Sequence, residues 1–426
     1  MIKTKGIPPV KRLSFLWIGL LFFGALHART LTLDAALSQA LRTHPDVKSA
    51  LLQIRQSAQG TRAEESAWFP QVSIFAEYDP QRTYTMPMNG RLGVIDDDGW
   101  TAGVSVRQQL FDFLRTRYRV DAARIREQIS ALSAEDAKAL LRYQVRNAYA
   151  QILVQQAALR TRRQDLAAKK AMLDQARGLY KQGIKTQADV LRFRSAMELA
   201  RSDLAMAQAA LERAIASLEQ LIGHPIPRAT RFQSSILYRG SFPLGKAAEK
   251  RLLEKNLGIR VARKNRQSST ALYEASRRER LGSIELVGDL SHLDTLSKYD
   301  SKTLGIRYSA PIFQGGRLGA RSEQARIDTM IQAQRIEAQK RKILEEYRGL
   351  AADWRALARS IRAQKARIRS AEANKKLVEA RYKEGLATYI DVLDAQATLL
   401  DARLGLLNAW FQRRNTLNRL EYLYGK

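Results

Sequence analysis

Hydrophobic positions in this chain recur with two different periods, which alternate along its length. From Asp34 to Ala67, Leu114 to Gly178 and Ala188 to Ile222 they return every three or four residues, as on one face of a helix. In Gln71–Tyr78 and Trp100–Arg107 they alternate singly, which predicts two strands, with Asp79 to Gly99 as the loop between them. The second half repeats the succession: a helix from Lys246 to Arg278, strands at Ile284–Leu290 and Thr303–Tyr308, then helices from Leu318 to Ala380 and Ile390 to Tyr424. The proline-free run from Leu114 to Gly178 would extend roughly 100 Å as a single helix. The returning helices are about half as long, and the shortfall matches the helix that opens each half. The short helices are therefore expected to stack end to end beside the long one. Pro45 interrupts the first of them as a kink or cap. The predicted fold is mainly α with a small β part.

The joints between long and returning helices carry the clearest signal. Tyr382-Lys-Glu-Gly-Leu-Ala-Thr-Tyr-Ile-Asp391-Val-Leu-Asp394 is echoed 202 residues earlier by Tyr180-Lys-Gln-Gly-Ile-Lys-Thr-Gln-Ala-Asp189-Val-Leu-Arg192. Each copy stops a helix at glycine and reopens it with Thr and Asp, so both are turns of long helical hairpins. The offset holds without a gap from Phe111/Phe313 to Gly223/Gly425, which identifies a tandem duplication. Ala200, Leu204, Ala207, Leu211, Ala214, Leu218 and Leu221 form a coiled-coil seam in the first copy, and the seam decays at Arg413 in the second. Between the halves, 224–245 reads as a linker or a small belt around the rods. The expected organisation is 1–28, 29–223, 224–245 and 246–426.

Composition and charge add exclusions. Without cysteine there are no disulfides, no thiolate chemistry and no acylated lipoprotein N-terminus. His27, His44, His224 and His292 stand singly, without ligand spacing, so no metal site or cofactor is expected. A net charge of +30 raises the question of nucleic acid, but the cations are spread along every helix without a recognition motif, and no nucleic-acid partner is expected. Lys3, Lys5, Lys11 and Arg12 precede an apolar run from Leu13 to Ala28, the pattern of a secretory signal cut after Ala28 or Ala25. Four short alternating strands are too few to close a membrane barrel. Several chains must then share one barrel, or the strands form an ordinary hairpin pair in a soluble domain.

Taken in order, the duplicated helix–strand–strand–helix–helix arrangement, Leu33-Asp-Ala-Ala-Leu, Trp68-Phe-Pro70, Ala310-Pro-Ile-Phe-Gln-Gly-Gly-Arg317 and the Tyr382-to-Asp394 turn resemble the TolC family of outer-membrane channel proteins. The resemblance covers nearly all of the mature sequence. It implies a homotrimer whose twelve strands close one barrel in outer-membrane lipid and whose helical hairpins form a periplasmic tunnel. It also implies a periplasmic adaptor and an inner-membrane transporter as partners, and export of small molecules or, alternatively, of polypeptides by type I secretion. Asp391 and Asp394 match the acidic rings of the family's periplasmic constriction. The other reading makes Asp391 a helix-restart cap and Asp394 a solvated carboxylate. In the family a basic residue two positions beyond the second turn glycine can restrain the closed end. Here that position is Ala387, while Lys185 stands at the equivalent place in the first copy, so the closed state is expected to be held by Lys185 or Arg192 against Asp391 or Asp394, or to be held weakly. Tyr382 matches the gate tyrosine, with simple packing as its alternative, and Asp189 repeats Asp391. The hairpin ends Gln182, Gly183, Glu384 and Gly385 are the expected adaptor contacts.

Two other function classes fit less well. An adaptor has one hairpin flanked once by β modules, whereas this chain has two hairpins. An enzyme needs a nucleophile–base set or a phosphate-binding loop. Gly315-Gly316 lacks the rest of such a fingerprint and is expected to bend the transition from strand to rod.

Overall fold

The computed structural model describes residues 30–228, 230–238, 240–295 and 297–426; the expected signal segment lies outside them. A short strand β1 (Thr30–Leu31) leads into α1 (Leu33–Thr43) and α2 (Pro45–Glu65). The two helices are separate because the Thr32 side chain caps the first, while Pro45 opens the second at a position where its missing N–H has no partner to lose. Strands β2 (Gln71–Met88) and β3 (Arg91–Phe111) follow, then α3 (Arg115–Lys181) and α4 (Gln187–Ile222). After β4 (Arg231–Phe232), the second half runs α5 (Lys246–Lys255), α6 (Leu257–Arg278), β5 (Ser283–Asp294), β6 (Lys298–Ser309), α7 (Arg317–Lys383) and α8 (Tyr389–Leu423). The two long helices each have 67 residues, roughly 100 Å.

The expected loop at 79–99 is instead strand. The β2–β3 ladder continues to Met88↔Arg91 and turns through Asn89-Gly90, both with positive φ (51° and 78°), the turn geometry that matches strand twist. Pro80 falls at the one break in register, between Asp79 and Arg82, as expected of a residue that cannot donate to the ladder. The polar residues beyond Tyr78 hid this extension, because backbone pairing continues where the apolar alternation has ended. β5 and β6 are likewise longer than the alternating windows.

The four long strands form an antiparallel sheet in the order β2-β3-β5-β6. Pairings Val72↔Val106, Ile74↔Val104 and Leu286↔Ile306 put apolar side chains on one face, while Ser73↔Ser105 and Asp289↔Thr303 lie on the other. On the apolar face Ile74 is 84% exposed, Leu304 78% and Ile306 72%. No described element of the chain covers them.

The helices follow the same order as the strands. α2 and α4 pack on α3, α6 and α8 lie between α3 and α7, and α7 closes the far side. The short helices thus stack in pairs beside the long ones, as their lengths demand. The largest core cluster lies where α1, α3 and α4 meet, around Val145, Tyr149, Ile152 and Leu218. Described residues of the linker pack against these helices, Phe232 on Tyr149, Tyr238 on Trp410 and Phe242 on Tyr424. β4 pairs in parallel with β1, and the buried Tyr149 hydroxyl donates to Leu31 O and accepts from Gln233 N, both at 2.8 Å.

The strand-to-rod transition is sharp in both halves. Gly315 and Gly316 have φ of 58° and 81°, and their counterparts 202 residues earlier, Phe113 and Leu114, adopt the same left-handed backbone at 55° and 71°. Left-handed conformations cost a side chain about 1–2 kcal/mol each. In the first half the buried Asp112 carboxylate, which accepts from Thr116 N at 2.6 Å, holds the turn that the glycines make freely in the second.

Candidate functional site: the paired hairpin tips

At the end of the rods farthest from the strands, the two hairpins turn side by side. Gly183 and Gly385 take φ of 73° and 79°. A Cβ on either would meet nothing within 4 Å, so conformation rather than crowding demands glycine at both turns. Gln182 and Glu384 cap the outgoing helices, and all four turn residues are exposed. Each returning helix opens with a full capping box. Thr186 Oγ1 accepts from Asp189 N while Asp189 Oδ2 accepts from Thr186 N at 3.1 Å, and Thr388 and Asp391 repeat the exchange, with Asp391 Oδ2 accepting from Thr388 N at 2.8 Å.

The tips share a small core that joins the hairpins. Met172, Leu173, Ala176, Phe193 and Met197 of the first pack with Tyr382 and Val392 of the second. Tyr382 is fully buried, its ring edge-on to Phe193 with centroids 5.6 Å apart. Its hydroxyl is enclosed and has no hydrogen-bond partner among the described residues. Burial, and secondarily the charge of Asp189, push the phenol up to about 12, so it stays neutral.

Lys185 reaches across from the first hairpin. Its ammonium lies 4.7 Å from the centre of the Tyr382 ring and donates to Ala387 O at 3.2 Å. It therefore grips the backbone at the position where the second hairpin lacks its own basic residue. Arg192 lies 4.7 Å from the centre of the Tyr389 ring. The expected ion pairs are not formed within the chain: among the described residues, no salt bridge joins Lys185 or Arg192 to Asp391 or Asp394, because both cations are engaged by aromatic faces and a carbonyl. Asp189 is buried behind the tip, whereas Asp391 and Asp394 are exposed. The hydrogen bonds from Thr388 hold the Asp391 carboxyl below the usual carboxylate range.

Replacing Lys185 with methionine keeps the stem and removes the ammonium. A cation–π contact and a charged hydrogen bond together contribute about 1–2 kcal/mol at such a half-buried position. Amide exchange over residues 382–392 should then quicken about five- to thirtyfold, and unchanged exchange would show that Lys185 carries no restraint.

Above the tip the structure adds a polar layer that sequence reasoning missed. Lys169 is 8% exposed. Burial holds it below the ordinary lysine range and holds Asp165 above the ordinary carboxylate range, each partly offset by the other's charge. On the second hairpin, buried Gln396 donates to Glu379 at 2.8 Å and Lys375 pairs with Glu379 at 3.4 Å. Arg403 pairs with Glu372 at 2.7 Å and donates to Gln164 at 3.3 Å, which ties α8 to α3. These residues are scattered over three helices. The repeat offset gives no hint of their proximity, since it matches Asp165 with Arg367 and Lys169 with Ala371, neither of which belongs to the layer.

No metal-holding group of His, Asp or Glu exists among the described residues, and no described helix is long and apolar enough to cross a membrane. What the arrangement provides is a two-hairpin tip, joined by packing and by Lys185 and Arg192 reaching across, with the capping Asp391 and the exposed Asp394 at its surface.

The family model described as outer membrane efflux protein matches residues 36–224 and 249–426. The chain is 26% identical over 304 residues to the outer membrane efflux protein BepC of Brucella suis biovar 1 (strain 1330), covering 69% of this chain and 63% of that protein. It is 24% identical over 248 residues to the alkaline protease secretion protein AprF of Pseudomonas aeruginosa, covering 54% and 50%. The match thus spans about half to three-fifths of these curated relatives. Crystal structures of CusC, described in terms of folding and transmembrane channel formation, superpose with a TM-score of 0.81 at 22% identity, covering 92% of this chain and 91% of that one.

Proposed function

The chain belongs to the outer membrane efflux protein family, and we propose that three copies close a twelve-stranded barrel in the outer membrane, continued by a helical tunnel across the periplasm. The observation that carries this reading is the sheet. A four-stranded sheet with a bare apolar face and two open edges, β2 and β6, is unstable in water and needs both lipid and neighbours. Residues 1–28 serve as the export signal, and 29–223 and 246–426 as the two channel repeats joined by the 224–245 belt. The tips around Gln182, Gly183, Glu384 and Gly385 meet a periplasmic adaptor, which couples the tunnel to an inner-membrane transporter. Asp391 and Asp394 line the constriction, and cargo passes without being chemically altered.

Small-molecule efflux is the first reading of the cargo. The similarity to a protein named for alkaline protease secretion supports polypeptide export as the second. Two measurements test the proposal. In mild detergent the mature protein should have three times the mass of one chain and lose it on heating; a stable, detergent-free monomer overturns the channel. A clean deletion should raise drug susceptibility or remove secreted polypeptides from the medium, and the affected assay identifies the cargo class. No change in either removes the export function.

A further inference from the structure

Lys169 stands apart from the other cations of this protein. No other described lysine or arginine is buried to its degree, and its ammonium makes no ion pair and no hydrogen bond among the described residues. The acids around it are engaged elsewhere or too far away. Asp165 lies one turn back on α3 without forming an ion pair to it, and Asp203 of α4 is held by Arg162 at 2.6 Å. Across from it on α7 are Lys375 and Glu379, but Glu379 is taken up by Lys375 at 3.4 Å and by Gln396 at 2.8 Å. Glu372 is likewise taken up by Arg403 at 2.7 Å. A second group in the layer is also left over. Gln396 is 3% exposed, and with its amide nitrogen on Glu379 its Oε1 is enclosed without a partner among the described residues. Together with Asp165, Lys375 and Arg403 it lines a cavity of about 40 Å³, which has room for water and leaves the layer incompletely packed.

The fold does not require charge at these places. The position 202 residues after Lys169 is Ala371, buried at 6% exposed, and Lys375 corresponds to Leu173, at 2%. An ammonium withdrawn from water without a partner disfavours the state that buries it, whereas its alkyl stem packs as an apolar side chain does. Burial is also the larger influence on both Lys169 and Asp165, outweighing their mutual attraction. The layer lies just behind the tip core, which begins at Met172 on the same helix, and about 21 Å along α3 from the turn at Gly183. Because Lys169 is covered by the second hairpin, parting the hairpins returns it to water.

We propose that this layer opposes closure of the tip: parting the two hairpins hydrates Lys169, Asp165 and Gln396, so the layer drives opening while the core around Tyr382 resists it. Two lysines of the first hairpin thus act in opposite directions. Lys185 grips the second hairpin through Ala387 O and the Tyr382 ring, and Lys169 pushes the same hairpin away. The balance leaves the closed tip poised, so that a modest pull is enough to part it. The inference rests on the channel reading above only in taking separation of the hairpins to widen a tunnel.

The test applies the substitution already described for Lys185 to Lys169, in the full-length protein in mild detergent. Lys169→Met keeps the stem and removes the charge, so amide exchange over 172–197 and 382–392 should slow about five- to tenfold, the reverse of the effect of Lys185→Met. Channel openings in planar bilayers should become rarer by a similar factor. Asp165→Asn with Lys169→Met neutralises both groups and should slow exchange at least as much as Lys169→Met alone. Lys169→Arg retains the buried charge and should not slow it. Exchange that quickens or stays unchanged in Lys169→Met overturns the proposal. So does equal slowing in Lys169→Arg, which would trace the effect to packing of the stem. Mass and conduction of the unsubstituted protein are read separately. If exchange slows as expected while that protein neither conducts nor has the mass of three chains, the layer acts on the hairpins as proposed and the channel reading is wrong; if it conducts and exchange does not slow, the layer alone is wrong.

Discussion

Truncating Tyr382 to alanine is expected to loosen the tips by about 3–5 kcal/mol, the cost of removing a large aromatic from a packed site, while Tyr382→Phe leaves them as stable or slightly more so. The contrast follows from how the residue is held. Its ring fills the core between the hairpins against Phe193 and under the Lys185 ammonium, yet its enclosed hydroxyl bonds to nothing among the described residues. Removing the ring deprives four helices of their common contact, whereas removing the hydroxyl only relieves a buried polar atom of its lost hydration. Amide exchange over 172–197 and 382–392 should rise sharply in the alanine variant, and its single-channel conductance should increase as the tips part. If phenylalanine produces the same changes as alanine, the hydroxyl rather than the packing of the ring carries the restraint.

The second large effect is expected at the acidic positions, and the structure divides their roles. Asp391 Oδ2 is committed to the capping box of α8, while Asp394, one turn further on, is exposed and makes no side-chain bond among the described residues. Asp394→Asn should therefore lower cation preference several-fold in planar-bilayer recordings and weaken block by multivalent cations without disturbing the fold. Adding Asp391→Asn should remove more of the preference but also fray the helix start. Within the chain the hydrogen bonds from Thr388 hold the Asp391 value below the ordinary carboxylate range. The stability it contributes is present above the ordinary carboxylate value of about 4 and is lost only as pH falls through the lower folded value. Residual selectivity of Asp394→Asn should thus persist to below about pH 4. If the double variant assembles normally and keeps its reversal potential and cation block, other residues form the constriction.

Much of this molecule was legible because backbone requirements leave residue-level traces. A glycine followed by Thr and Asp marks each hairpin turn, and a shared 202-residue offset marks the duplication. What stayed hidden depends on groups that leave no such trace. The strand extension beyond Tyr78 uses backbone pairing between polar residues. The contact of Lys185 with Ala387 O is to a carbonyl, which every residue possesses. Phe193 meets Tyr382 across two hairpins although its repeat counterpart is Ala395 and that of Tyr382 is the exposed Tyr180. Phe113 and Leu114 look like ordinary strand-end hydrophobics, and only alignment with Gly315-Gly316 reveals their left-handed backbone.

Because strands and helices share one lateral order, each chain has two unlike borders: β2 with α2 and α4 along one, β6 with α7 along the other. Such a chain has a head and a tail, and any ring it forms joins head to tail at every seam. In the proposed ring of three, damage to either border is expected to be dominant. If half the chains in a cell carry an altered border and assembly into threes is random, only about one ring in eight is built wholly of intact chains. A single defective allele would then deplete the working population far more than the halving expected of a monomer.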